Sequence, residues 1–203
     1  MEARPGTRGR LRPGGRTERV GRAVAEAVLD FIQDGVIDFS VQDVAQKSGV
    51  ARSTVYARWP TREALIAEAL AQHSLEFTVE PGPSWRETLR NFAFSFRDFS
   101  MQPAEIAINS MVACSKDGFI VQETRRIWAE IARTVSEHLH SARQSGEIRS
   151  DIDPLNVIAS LMASISGLVV LAKISPSDDF LDDLVAMHLD GCASHAASNT
   201  RGA

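Results

Sequence analysis

The chain has 203 residues and a formal net charge of −4, so it is long enough for one large domain or two small ones. Its hydrophobic share of 44% and charged share of 24% are those of a soluble globular protein and exclude a disordered or collagen-like chain. The two cysteines, Cys114 and Cys192, are far apart and form neither a disulfide framework nor a metal-binding motif. We therefore expect buried thiols in a cytoplasmic protein.

Charge is unevenly distributed along the chain. Residues 1–75 contain eleven Lys and Arg against nine Asp and Glu, whereas residues 76–203 contain eleven against seventeen. A positive part followed by an acidic part favours contact with a polyanion at the N-terminal end only.

The N-terminal stretch, residues 1–16, places arginines among Gly and Pro and predicts a disordered arm. Such an arm either follows DNA phosphates or enters a minor groove, or it is simply a solvated tail. A helix is predicted next, over Thr17–Asp34, with an apolar stripe that packs behind the elements that follow.

The stretch from Ser40 to Ala69 contains two short helices, a tight turn and the start of a third helix. Ser40 is placed to cap the first helix, and Gly49 supplies the positive φ that the turn needs. Val55 and Trp59 face inward from the second helix, whose polar residues stay outside. This arrangement is typical of a helix-turn-helix, in which the second helix enters the major groove. An ordinary three-helix corner with a solvated polar helix is the alternative.

Six side chains of this stretch are candidates for DNA contact: Ser40, Arg52, Ser53, Thr54, Tyr56 and Arg62. Arg52, Ser53 and Thr54 open the second helix and are candidates for base edges, which determine sequence preference. Ser40, Tyr56 and Arg62 are candidates for phosphate oxygens, whose contacts fix the register. Thr54 suits a phosphate as well.

A resemblance to the DNA-binding signature of the TetR family of bacterial regulators lies in the segment VQDVAQKSGVARSTVYARWPTREAL. The matching elements are Val44-Ala45, Gly49-Val50, Val55-Tyr56, Trp59-Pro60, Arg62 and Leu65. Trp59 stands where Phe is commoner and Arg62 where Lys is commoner, and both keep the chemistry of an aromatic anchor and a cation. The resemblance implies a dimeric regulator in which the helix beginning at Arg62 moves the DNA-reading helices when it shifts.

We predict an all-α fold of about nine helices. The predicted division is a disordered arm over 1–16, a helix-turn-helix DNA-binding domain over 17–75, a helical effector-binding and dimerisation domain over 76–195, and a disordered tail over 196–203. In the second domain the predicted helices cover 85–100, 103–115, 117–143, 154–174 and 177–193.

The inward faces of these helices are rich in aromatic and apolar residues, which either form plain core or line an apolar ligand cavity. The candidate pocket residues are Phe92, Phe96, Phe99, Met111, Trp128, Ile131 and Met162. His73 has no partner at metal-ligand spacing, so we interpret it as a surface or packing residue and predict no metal site and no cofactor.

The helix over 154–174 is apolar nearly all round, so both of its sides must be covered. Its longest apolar run is shorter than the ~20 residues that a bilayer requires, and we predict a buried helix rather than a membrane span. We expect one side to meet its own domain and the other side to meet a second copy of the chain in a four-helix bundle. The candidate interface residues are Ala159, Ala163, Ser166, Gly167, Leu181, Leu184, Val185 and His188.

The sequence therefore predicts a homodimeric repressor that binds a palindromic DNA operator and is released by a small apolar ligand. A regulator or scaffold controlled by a protein partner, without a ligand, is the alternative. An enzyme is not expected, because the sequence shows no nucleophile–base pair, metal-ligand pattern or glycine-rich phosphate loop.

Overall fold

The computed structural model of the protein describes residues 15–115 and 118–194. Across these residues the chain folds into ten α-helices, and the predicted all-α class is confirmed. The helices are α1 (Arg16–Gln33), α2 (Val41–Ser48), α3 (Arg52–Arg58), α4 (Arg62–Ser74), α5 (Trp85–Ser100), α6 (Pro103–Cys114), α7 (Gly118–Glu137), α8 (His140–Gln144), α9 (Pro154–Ser166) and α10 (Asp178–Cys192). Of the predicted arm only Gly15 and Arg16 are described, and the predicted tail lies outside the described residues.

Side-chain caps and one glycine set the boundaries of the short N-terminal helices. The Ser40 hydroxyl accepts a hydrogen bond from the Asp43 backbone N–H at 3.2 Å, and Thr61 caps α4 in the same way. Gly49 ends α2 at φ 67°, a left-handed conformation in which an L side chain is strained. The tight turn between α2 and α3 therefore depends on glycine at this position.

The predicted helix over 117–143 is divided in two, which gives ten helices rather than nine. The carbonyl of Ser136 accepts the Leu139 backbone N–H at 3.0 Å and lies 2.8 Å from Nδ1 of the His140 ring. In a continuous α-helix this carbonyl would instead accept the backbone N–H of His140. A side chain thus competes with the backbone for the acceptor, and α7 ends at Glu137.

The most apolar helix also differs from its prediction at the C-terminal end. At Gly167 α9 passes into a π-helical segment, Gly167–Ala172, where an α-helix was expected to continue. Lys173 then adopts a left-handed φ of 58°. The span Pro154–Ala172 is long and apolar enough to cross a membrane by length and composition, and 44% of it is buried inside the chain. That buried side, which includes Leu161 and Ile165, fits the predicted role as a core helix.

Two hydrophobic cores organise the described part of the chain. The first joins α1–α4 and also takes in Ile108 from α6 and Ile120 from α7. The second is formed by α5, α7, α8, α9 and α10. Because α6 packs against α1, and α7 packs against α4, the helices of the predicted DNA-binding domain rest on elements that follow the predicted domain boundary at residue 75. The division itself stays a prediction.

The two cysteines differ in exposure. Cys114 is the last residue of α6 and is exposed, so the expectation of a buried thiol is wrong there. Cys192 is buried as expected, and burial raises the pKa of its thiol.

Candidate nucleic-acid interface and ligand cavity

Helix α3 is a short rod with an apolar base and a polar outer side. Val55 is fully buried, and Trp59, which follows the helix, is 5% exposed. Arg52 and Ser53 are exposed, Thr54 is half-buried, and Tyr56 is 39% exposed. The candidate base-reading residues therefore lie on the outside of the helix and are open to a ligand as large as duplex DNA.

Hydrogen bonds from two neighbouring helices hold the end of α3 in place. The Trp59 indole N–H donates to Oε2 of Glu68 on α4 at 3.2 Å. The Arg58 guanidinium donates to the Thr17 carbonyl on α1 at 3.1 Å and lies 4.2 Å from the centre of the Trp59 ring. The orientation of α3 is thus coupled to the positions of α1 and α4.

Arg52 and Tyr56 form a contact of their own on the outer side of α3. The Arg52 guanidinium carbon lies 5.2 Å from the centre of the Tyr56 ring, within cation–π range. One helical turn separates the two residues, so the ring holds the cation beside the surface that α3 presents. This restricts the freedom that the arginine would lose on binding DNA.

Ser40 and Arg62, the other two candidates, have structural contacts. The Ser40 hydroxyl donates to Oδ2 of Asp43 at 2.7 Å, and hydrogen bonds from the Ser40 backbone and side chain lower the pKa of Asp43. Arg62 donates from Nη1 to the Ile37 carbonyl at 2.7 Å and so fixes the loop before α2. Their assignment to phosphates stays a prediction.

The predicted pocket residues lie in different places. Phe92, Phe96 and Met162 are at most 2% exposed, belong to the second hydrophobic core, and line neither the groove nor the recess described below. Their assignment to a ligand pocket stays a prediction. Met111 lines a separate cavity of about 350 Å³ between α6 and the end of α1.

The other three predicted pocket residues, Phe99, Trp128 and Ile131, line one small recess between α4 and α7. Ile131 also lines a larger groove of about 410 Å³, bounded by the end of α4, residues 75–79 and α7. The recess also contains polar residues that the sequence pattern did not indicate, among them His73 and Glu105. His73 is 3% exposed, and its Nε2 lies 3.1 Å from Oε2 of Glu105.

The outer face of α9, the π-helical segment after it and α10 carries exposed apolar residues. Leu155 is 38%, Leu171 73%, Phe180 42% and Met187 64% exposed, and none of these four residues was among the predicted interface residues. Of the predicted set, Ala159 and Ala163 are exposed, and Gly167 and His188 are half-buried. The Ser160 hydroxyl and the His188 ring, 2.8 Å apart, link the two helices on this face.

The remaining predicted interface residues are turned into their own chain. Leu181, Leu184 and Val185 are at most 6% exposed and belong to the second hydrophobic core, and Ser166 is 7% exposed. Their side of each helix covers the core of the same chain, and their assignment to a dimer interface stays a prediction.

Comparisons with known proteins agree with this architecture. Residues 24–69 match the family model described as "Bacterial regulatory proteins, tetR family". The chain is 28% identical over 155 residues to the HTH-type transcriptional regulator AqdR of Rhodococcus erythropolis, covering 73% of this chain and 75% of AqdR. It is 34% identical over 80 residues to the class D tetracycline repressor protein of Escherichia coli, covering 37% of each chain.

Two solved structures share the fold. The flavonoid-responsive regulator FrrA superimposes with a TM-score of 0.69 at 19% identity, over 88% of this chain and 99% of FrrA. A SmeT–triclosan complex superimposes with a TM-score of 0.66 at 14% identity, over 87% of this chain and 92% of SmeT.

The sequence relatives are regulators, which confirms the prediction that the protein is not an enzyme. The family match falls on the helices that carry the exposed polar side of α3, where the sequence signature was recognised. Residues 24–69 carry the DNA-binding domain of the TetR family, and the chain is similar to a transcriptional regulator over 73% of its length.

Proposed function

We propose that this regulator is a homodimeric repressor that binds a palindromic operator and is released from it by a small, mostly apolar ligand. The observation that carries the proposal is the position of α4. This helix takes the Trp59 indole hydrogen bond beside α3 and lines the groove and the recess at its other end. A ligand and an operator would therefore both act on the same helix.

The DNA-binding part of the proposal depends on the outer side of α3. Arg52 and Ser53 are exposed at the first turn, where a recognition helix contacts base edges. Tyr56 lies one turn further along, and its hydroxyl suits a phosphate oxygen. Two such helices, related by a twofold axis, match an inverted repeat in the operator.

The dimer is supported by the exposed apolar face of α9 and α10. Soluble monomers rarely expose large apolar patches, and four large apolar side chains are exposed here on α9, the π-helical segment and α10. A second copy of the chain would bury them in a bundle of four helices. Gly167 lies on this face, and a Cβ added there would meet no atom of another part of the chain within 4 Å.

Ligand control is supported by the groove between α4 and α7. Its volume of about 410 Å³ is in the range of small-molecule sites. FrrA is named as flavonoid-responsive, and SmeT has been solved with triclosan, so proteins of this fold hold small, largely apolar molecules. A ligand shifts the DNA affinity only to the extent that it binds the two conformations of α4 differently.

The dimer is tested by light scattering on the full chain and on Gly167→Leu. The wild type is expected to have the mass of two chains. Gly167→Leu is expected to have the mass of one chain and to bind operator DNA weakly, because leucine fills the space that a partner helix would occupy. Gly118→Leu, at an exposed glycine in similarly open space on α7, is the matched control and should stay dimeric. A wild type with the mass of one chain would refute the proposed assembly.

A further inference from the structure

The groove and the recess between α4 and α7 are adjoining parts of one site. Ser74, Ile127 and Ile131 line both of them. The groove holds about 410 Å³, whereas the recess holds about 20 Å³, which is room for roughly one water-sized group. A molecule in the groove could therefore place one small end group in the recess and no more.

The recess contains buried polar residues, although most of its lining is apolar. His73, Glu105 and Thr124 line it and are 3%, 5% and 6% exposed. The Glu105 carboxyl group faces the His73 ring at 3.1 Å and accepts a hydrogen bond from the Asn109 amide at 2.7 Å. The Thr124 hydroxyl has no hydrogen-bond partner among the described residues. A buried hydroxyl is destabilising when it is unpaired, so a ligand that pairs it gains affinity from the contact.

The chemistry of the recess selects the end group of the ligand. A hydroxyl group fits the space, and it can donate to or accept from Thr124 while donating to a free lone pair of Glu105. A carboxylate would lie beside the Glu105 carboxyl group, and like charges oppose each other strongly when buried. An ammonium group has three N–H donors that lose their hydration, and the recess offers them only the Thr124 hydroxyl and a free lone pair of Glu105 among apolar walls such as Phe99.

We propose that this site binds an uncharged molecule with an apolar body and a single terminal hydroxyl group, a phenol or an alcohol, with the hydroxyl on Thr124 and Glu105. The apolar body lies in the groove against Leu75, Phe77 and Ile131. The inference rests on the proposed ligand control and names the chemical class of the ligand.

Contacts in the recess also explain how such a ligand acts on DNA binding. His73 lies five residues after Glu68 on α4, and Glu68 accepts the Trp59 indole N–H at the end of α3. On the other side, Glu105 belongs to α6, which packs against α1. A hydroxyl inserted beside the His73–Glu105 pair therefore acts at the joint between α4 and α6, and both helices support the DNA-binding core.

The test uses the full chain and four probes with the same body: 4-butylphenol, butylbenzene, 4-butylbenzoate and 4-butylbenzylamine. Binding is measured by calorimetry and by the fluorescence of Trp128, which lines the recess. We expect 4-butylphenol to bind about tenfold more tightly than butylbenzene, the size of effect that one buried hydrogen bond gives. The benzoate and the amine should bind more weakly than the phenol.

Thr124→Val assigns the effect to the recess, because valine keeps the shape of threonine and removes only the unpaired hydroxyl. This variant should bind 4-butylphenol about tenfold more weakly and butylbenzene unchanged. Thr17→Val is the matched control, since Thr17 is exposed on α1 and lines neither the groove nor the recess. It should bind both probes as the wild type does.

Equal binding of all four probes, or a Thr124→Val variant that binds the phenol as the wild type does, would overturn the assignment of the end group. No binding of any probe, in a protein that still binds its operator, would overturn the site itself and leave DNA binding intact. Loss of operator binding by the untreated wild type would instead contradict the proposed function.

Discussion

Helix α4 joins two functional regions that are built in opposite ways. At α3 the apolar residues are buried and the polar residues, among them Arg52 and Tyr56, are exposed. In the recess the polar residues His73 and Glu105 are themselves buried, and apolar residues surround them. An exposed polar surface suits a highly charged polymer, which releases counterions when basic side chains neutralise its phosphates, whereas a buried polar pair suits the selection of a small ligand by hydrogen bonding.

The difference determines how each region responds to change. Contacts on the exposed side of α3 affect DNA binding and leave the fold intact, because solvent replaces any group that is lost. Contacts in the recess should affect stability as well as the proposed ligand binding, because a buried partner left alone has no water to pair with.

The largest effect on stability is expected from a change on the buried side of α3. Trp59→Ala removes a buried indole and its bond to Glu68, and we expect a loss of about 3–5 kcal/mol in the free energy of unfolding. Tyr56→Ala, three residues earlier on the exposed side, should change stability by less than about 0.5 kcal/mol. Urea unfolding of both variants measures the difference. Similar losses would mean that the buried side of α3 is not its anchor.

The buried pair of the recess should come next. Glu105→Ala leaves His73 and the Asn109 amide without their shared partner, and we expect a loss of about 2–3 kcal/mol in the free energy of unfolding. Glu130→Ala removes an exposed carboxylate that pairs with Arg133 on the surface of α7, and it should leave the unfolding curve unchanged. An unchanged curve for Glu105→Ala would contradict the account of the recess.

A change in the first turn of α3 should alter the sequence preference for DNA. Arg52→Ala is expected to reduce discrimination at one base pair of each half-site by about 1–3 kcal/mol. Competition binding against operators that vary at single positions measures the loss. If affinity for every operator fell by the same factor, Arg52 would belong with the phosphate contacts instead.

The Tyr56 hydroxyl should increase the affinity for DNA without affecting the sequence preference. Tyr56→Phe keeps the ring under the Arg52 guanidinium and removes one hydrogen bond, so operator affinity should fall by about 1 kcal/mol for all sequences alike. Fluorescence anisotropy with a good and a poor operator tests this. A loss confined to one operator would count against a phosphate contact.

The smallest effect is expected at the cap of α2 and depends on pH. Hydrogen bonds from Ser40 hold the pKa of Asp43 below its ordinary value of 3.8. The charged form therefore stabilises the fold above that value, and this contribution disappears as pH falls through the lowered pKa. The stability difference between wild type and Asp43→Asn should be present at pH 7 and vanish at low pH. A difference that is constant with pH would exclude the cap as its source.

The same contrast explains which features could be predicted from the sequence. The caps at Ser40 and Thr61, the turn at Gly49 and the exposed side of α3 depend on residues close together in the chain, and local rules were sufficient for them. The recess brings together α4, α5, α6 and α7, so its polar pair could not be found from periodicity. The one available signal was Glu105 four residues before Asn109 on an otherwise apolar helix.

The spacing of apolar residues identifies the apolar face of a helix but not the element that covers this face. Leu181, Leu184 and Val185 form a genuine apolar stripe, but the chain's own core covers it. Met187 and Phe180 lie on the other side of the same helix and are exposed. A sequence shows that a stripe must be buried and not whether the same chain or a second copy buries it.

Selection of bound DNA from a random pool tests the central claim most directly, because it examines α3 and the assembly together. We expect the wild type to enrich an inverted repeat, and Arg52→Ala to enrich the same repeat with one position of each half-site relaxed. Enrichment of a single asymmetric site by the wild type, or of nothing at all, would contradict a paired recognition helix that reads DNA.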